Sequence, residues 1–188
     1  MRPHGRARLA FAPAVVVALV APFAIGLSGC AAIQQPVPTC GSVTRLALVA
    51  QSVPTAAYVP CLGALPTGWG AGGFQATSGH ARFTLRSDLA PGRPVQVALR
   101  ASCDVAGATS TTPRGPGVAT YIWLRSIAPR YAGTLTDQFA GGCVTYQFDF
   151  QRGPHITLME DFEAAVTLYP RQELAVQVHQ RLGVTLGP

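Results

Sequence analysis

The chain contains no lysine: all 14 of its basic residues are arginine. Set beside abundant Ala, Gly, Pro and Val, that absence reads as the codon bias of a high-GC genome, and it carries no functional message. Charge of either sign is scarce, at 12% of residues, and the formal net charge is +6. The motifs of hydrolytic and metal chemistry are missing as well. No G-x-S-x-G is present to expose a nucleophilic serine on a strained elbow. No two His stand at i and i+4 to face one zinc ion, and His155 with Glu160 does not make that pattern. There is no C-x-x-C spacing and the four His are scattered, so no metal site is expected. Gly68 to Gly73 leads toward a strand rather than a helix, so it is no phosphate-cradling loop.

What is present begins at the N-terminus. Arg2, Arg6 and Arg8 form a basic segment, Leu9 to Gly26 is uncharged and mostly apolar, and small residues lead to Cys30. The order basic, apolar, small is that of a secretory signal. The tetrad Leu27-Ser28-Gly29-Cys30 resembles the lipobox of bacterial lipoproteins: an aliphatic residue, two small residues, then Cys. The resemblance implies that residues 1–29 are removed and that the Cys30 thiol takes a diacylglycerol, with palmitate among the acyl chains. It implies that residues 30–42 form the lipidated Cys and a tether, and that residues 43–188 form one domain. The alternative is a transmembrane helix, but the apolar stretch is about 18 residues, short for a span, and Pro13 and Pro22 interrupt it. With no Arg-Arg pair in the basic segment, the general secretory route is favoured over the twin-arginine one. Two acyl chains hold a protein stably at a membrane. The expected location is therefore the extracytoplasmic face of the cell membrane.

Removing the signal leaves about 159 residues, enough for a single domain with its own core. It takes away three Arg and lowers the net charge to about +3, which is too weak for a nucleic-acid partner. It also leaves Cys40, Cys61, Cys103 and Cys143 as an even set in an oxidising compartment. Of the three possible pairings, Cys40–Cys61 and Cys103–Cys143 are favoured because each closes a local loop. Each is expected to contribute about 3–4 kcal/mol. One conflict accompanies the second pair. Cys103 falls on the apolar face of its strand and Cys143 on the polar face of its own, so a strand end or bulge must turn one side chain over.

Val43 to Ser52 fits a helix or a strand equally. Leu65 to Gly73 reads as a glycine loop anchored by Trp69. From Phe74 the period is two: Phe74 to Thr77, a Ser78-Gly79 turn, then Ala81 to Arg86, then Val95 to Ser102 as a third strand ending at Cys103. Asp104 to Gly117 is polar and rich in Gly, Pro and Thr, the pattern of a mobile loop. Tyr121 to Ser126 is apolar on both faces, which predicts a central strand. Gly141-Gly142 joins two further strands as a hairpin, Ala132 to Ala140 and Cys143 to Phe150. After Pro154 the period becomes 3.6. Leu158, Phe162, Ala165, Val166 and Tyr169 share one helical face, with Thr157 and Glu160 as a capping box and Glu160, Asp161 and Glu163 at the positive end of the dipole. Pro170 ends that helix, and Arg171 to Leu182 reads as a second, closed by Gly183. The expected fold is α+β: an antiparallel β-meander of about five or six strands, with two C-terminal helices packed on one face.

No residue stands out as catalytic. Ser78-Gly79-His80 is explained by a turn, and the acids after Pro154 by a helix start. Arg82, Arg86 and Arg100 should share the wet face of the sheet, with Arg93 at a turn beside them, as a patch for anionic ligands. The segments Ala50 to Leu65, Gly79 to Asp88 and Phe139 to Asp149 are similar to those of actinobacterial exported lipoproteins. That similarity implies export and paired cysteines and no activity. The expectation is a non-enzymatic binding domain without a cofactor. Its partners would be the membrane, through the lipid on Cys30, and an envelope protein, anionic lipid or glycopolymer. A lipid or small-ligand carrier with a cavity between sheet and helices is the alternative, and an envelope hydrolase comes third.

Overall fold

Three helices and nine strands make up the computed structural model, which describes residues 36–90, 95–127 and 129–187. The first helix, α1 (Val43–Ser52), forms because Val43, Leu46, Ala47, Val49 and Ala50 recur at helical spacing and are buried together. Strand β1 (Tyr58–Leu62) follows, then β2 (Trp69–Thr77), β3 (His80–Ser87), β4 (Val95–Arg100), β5 (Thr109–Thr111), β6 (Ala119–Ser126), β7 (Tyr131–Phe139) and β8 (Gly142–Phe150). Helix α2 (His155–Ala165), strand β9 (Val166–Pro170) and helix α3 (Arg171–Leu182) complete the order.

The class is α+β, as expected, but there are more strands than expected. Seven form one antiparallel sheet in the order β2-β3-β4-β8-β7-β6-β5. It is not one meander but two, β2-β3-β4 and β5-β6-β7-β8, joined where β4 pairs with β8. Strand β4 therefore connects to β5 on the far edge, four strand spacings or about 19 Å away. Residues 101–108 make that crossing; eight residues reach about 27 Å when extended, which leaves length for the turn closed by the Ala108 amide on the Val105 carbonyl. Strands β1 and β9 pair separately, as a two-stranded ribbon.

One face of the large sheet is apolar. Phe83, Leu85, Val97, Leu99, Val144, Tyr146, Phe148 and Phe150 alternate inward and are buried. Phe162 of α2 lies against Tyr146, Phe148 and Phe150 at centroid distances of 5.7, 6.1 and 6.4 Å. Leu46 and Val49 of α1 and Leu174 and Val178 of α3 join the same core. The β7–β8 hairpin turns on Ala140 and Gly141. Gly141 has φ +70°, and a Cβ there would lie 1.9 Å from the Thr55 carbonyl oxygen, so glycine is required.

Several expectations are corrected. Trp69 to Gly73, expected as a loop, is the first half of β2. Strand β6 is next to the edge rather than central, and its Trp123 is 46% exposed. The stretch expected as a mobile loop contains β5 and, beyond it, the part-buried Arg114. Helix α2 starts at His155, with Pro154 as its N-cap and no side-chain cap, so Thr157 and Glu160 form no capping box. Its first turn holds no acid, which places Glu160, Asp161 and Glu163 beyond the positive end of the dipole. The helix stops at Ala165, and Val166 and Tyr169 belong to β9. Helix α3 and its Gly183 C-cap, at φ +67°, fall where periodicity placed them.

Candidate functional site

The face opposite the helices is polar, and cross-strand register arranges it in rows. Trp123, Thr134, Gln147, Gln96 and Thr84 form one row across β6, β7, β8, β4 and β3. Tyr121, Thr136, Thr145, Ala98 and Arg82 form the next. Gln138, Cys143, Arg100 and His80 form a third. The crossing segment 101–108 lies over this face and makes one wall of a cavity of about 370 Å³. Its floor is Thr134, Thr136, Thr145 and Gln147, with Arg100 on one side and Trp123 on the other. A second cavity, about 460 Å³, adjoins it at Arg100 and Ser102 and extends to Ser78 and His80 at the β2–β3 turn. Together they form a groove across the sheet.

The disulfide Cys103–Cys143 holds the wall down. Here the register conflict resolves. Strand β4 ends at Arg100 rather than continuing to Cys103, so alternation no longer fixes the direction of the Cys103 side chain. The chain turns back over the open face, where Cys143 already points beside Arg100. The other bridge is Cys40–Cys61, so both expected pairings form. Two disulfides are what a protein folded in an oxidising compartment carries.

Arg82, Arg86 and Arg100 are all exposed, on the open face as expected. The Arg82 guanidinium donates to Oε1 of Gln75 at 2.9 and 2.6 Å, which orders it without neutralising it. Among the described residues none of the three forms a salt bridge. His80 Nδ1 lies 2.9 Å from Thr77 Oγ1. Asp104 is the carboxylate of the groove wall, and its Oδ1 accepts from the Ala106 amide at 2.9 Å, bracing the segment's own turn. Arg93 and Cys30 lie outside the described residues.

A second polar constellation was not anticipated from sequence. Arg114 reaches into the apolar side and donates to Asp137 Oδ2 at 2.8 Å, to the Val166 carbonyl at 2.8 Å and to the Glu163 carbonyl. Its guanidinium lies 5.0 Å from the Tyr146 ring centroid. Asp137 also accepts from Thr120 at 2.8 Å and from the Tyr146 hydroxyl at 3.0 Å. Burial drives the Tyr146 phenol far above its ordinary range. Burial also raises the Glu163 carboxyl, with Arg114 opposing the shift. Arg114 gives three hydrogen bonds to protein acceptors, and the Thr120 and Tyr146 hydroxyls give theirs to Asp137. The role of this set is to terminate α2 and to fix the 112–118 segment to the sheet. The signal for it was Asp137 itself, an acid at an inward position between Leu135 and Phe139.

Comparison with known proteins finds no matching family model, no matching curated protein and no matching solved structure. Among the described residues no helix is long and apolar enough to cross a membrane, and no group of three His, Cys, Asp or Glu is placed to hold a metal ion.

Proposed function

We propose that the chain is a membrane-anchored envelope lipoprotein whose domain is a non-enzymatic binding module, with the open sheet face as its ligand-binding face. The observation that carries this reading is the groove between the sheet and the disulfide-pinned 101–108 segment, flanked by Arg100 and the exposed Trp123. Its volume is in the range of small-ligand sites. Its floor is hydroxyl and amide rather than carboxylate or imidazole, which supports recognition over acid–base chemistry. A lipid carrier would need room between sheet and helices, where Phe83, Tyr146, Phe148, Phe150 and Phe162 interlock at under 2% exposure. That packing favours binding on the open face instead. Anchoring rests on the lipobox resemblance at Cys30.

The test is photo-crosslinking in the native envelope, with the crosslinker placed at Gln147 in the groove or at the exposed Gln180 on α3. Mass spectrometry then identifies what is attached. A defined adduct at Gln147 that is absent at Gln180 is expected, and identical adducts at both positions refute the assignment of the face. In parallel, Cys30→Ala should leave the membrane fraction or stay uncleaved. A variant processed and anchored like the parent refutes lipidation.

A further inference from the structure

We propose that the groove takes an acidic glycan, one sugar ring stacked on Trp123 and a neighbouring acidic group paired with Arg100. This rests on the reading of the open face as a binding face and gives it a ligand class. Three observations select the chemistry. First, the side chains presented are Thr134, Thr136, Thr145 and Gln147. Hydroxyls and amides offer donors and acceptors together, which matches a ligand whose hydroxyls do the same. An acyl chain would leave them unpaired. A peptide seeking to add a strand finds no free ladder, because β4, β8, β7 and β6 each have partners on both sides. Second, Trp123 is the exposed tryptophan, at 46%, whereas Trp69 is buried and donates its indole N–H to Asp161 at 2.9 Å. An indole gives a flat apolar platform with a polar edge, suited to the apolar face of a sugar ring whose hydroxyls remain hydrogen-bonded. Third, the charge is complementary. Arg100 stands where the two cavities meet, and Arg82 lies diagonal to it on β3, opposite Ala98. The groove wall adds one carboxylate, Asp104, already engaged by its own turn.

The geometry also favours a chain over a single sugar. Trp123 on β6 and Arg100 on β4 are three strand spacings apart, about 14 Å across the sheet. Linked rings cover that width, with one ring on the indole and an acidic group at the guanidinium. The 101–108 segment then lies along the ligand, and the second cavity receives its far end near His80.

The probes are oligogalacturonate, a neutral dextran oligomer of equal length and inorganic polyphosphate. Each is titrated by calorimetry and by indole fluorescence into the full-length protein purified in detergent micelles. Oligogalacturonate should bind, change the tryptophan emission and weaken with added salt. Trp123→Ala and Arg100→Gln should each reduce its affinity by about tenfold, or about 1.4 kcal/mol. Arg100→Gln should also flatten the salt dependence. Both side chains are exposed, so both variants should keep the parent unfolding midpoint, which is measured alongside. The proposal is overturned if oligogalacturonate does not bind or if dextran binds as well. It is equally overturned if polyphosphate matches oligogalacturonate and both ignore Trp123→Ala, which would make the face a simple arginine patch. If Gln147 crosslinks a defined envelope component while oligogalacturonate fails to bind, the binding-domain reading stands and the glycan assignment falls.

Discussion

Replacing Arg114 by Met keeps most of the apolar stem and removes the guanidinium. Three acceptors lose their donor: the Asp137 carboxylate and the carbonyls of Glu163 and Val166. The Asp137 side chain is fully buried, and after the change it keeps Thr120 and Tyr146 but faces no cation. Breaking a buried pair from one side costs about 3–5 kcal/mol. A domain of this size is stable by about 5–15 kcal/mol in total, so Arg114→Met should lose a large share of its stability. Urea unfolding, followed through the buried Trp69, should show a lower midpoint with an unchanged slope. The double variant Arg114→Met/Asp137→Asn removes both charges. Its loss should be smaller than the sum of the two single losses, by about 1–3 kcal/mol. A loss below about 1 kcal/mol for Arg114→Met, or strict additivity of the two changes, would refute the claim that this pair holds α2 and the 112–118 segment to the sheet.

Three further outcomes follow from the same structure. Removing Cys103–Cys143, which spans 40 residues, should cost about 4 kcal/mol, and removing Cys40–Cys61, which spans 21, about 3. Only the first should speed amide exchange in residues 101–108, as read by mass spectrometry. Burial raises the Glu163 carboxyl above its ordinary 4.5, so the folded chain holds that proton more tightly than the unfolded chain does. The stability this gives is full at acid pH and is lost as pH rises through the folded value. Glu163→Gln should therefore gain stability relative to the parent as pH rises above 4.5, measured as denaturant midpoints across a pH series. Gly133→Ala would place a Cβ 2.4 Å from the Trp123 carbonyl and 3.0 Å from Phe148, so thermal unfolding should show a loss of about 1–3 kcal/mol or more.

Much of the large sheet was legible because its strands have one wet face. Alternation marks Ala81 to Arg86, Val95 to Arg100 and Val144 to Phe150 unambiguously, and the structure places them so. Helix α3 was legible because its apolar stripe and Gly183 agree. The two-stranded ribbon was not. Pro60 argues against a strand, yet β1 pairs with β9 through it, opposite Leu168. Val166 and Tyr169 fit the helical stripe of α2 by spacing, and tertiary contacts decide between the two states. Arg114 holds the carbonyls of Glu163 and Val166, and β1 offers a ladder. The arginines of the candidate site were legible from alternation alone. The groove was not, because its wall depends on the strand order. Nothing local indicates that β8 inserts beside β4 and sends residues 101–108 across the open face.

The ribbon has a consequence for a chain that crosses a membrane N-terminus first. Strand β1 is among the earliest elements to emerge, and its partner β9 is among the last, with Tyr58 waiting for Pro170. Cys40–Cys61 lies at that early end and closes over a short span, so it can lock β1 to the preceding turn before any sheet exists. Completion must await Val166–Pro170. A translocation pause upstream of Val166 would expose a stapled but unpaired edge to whatever quality control operates there.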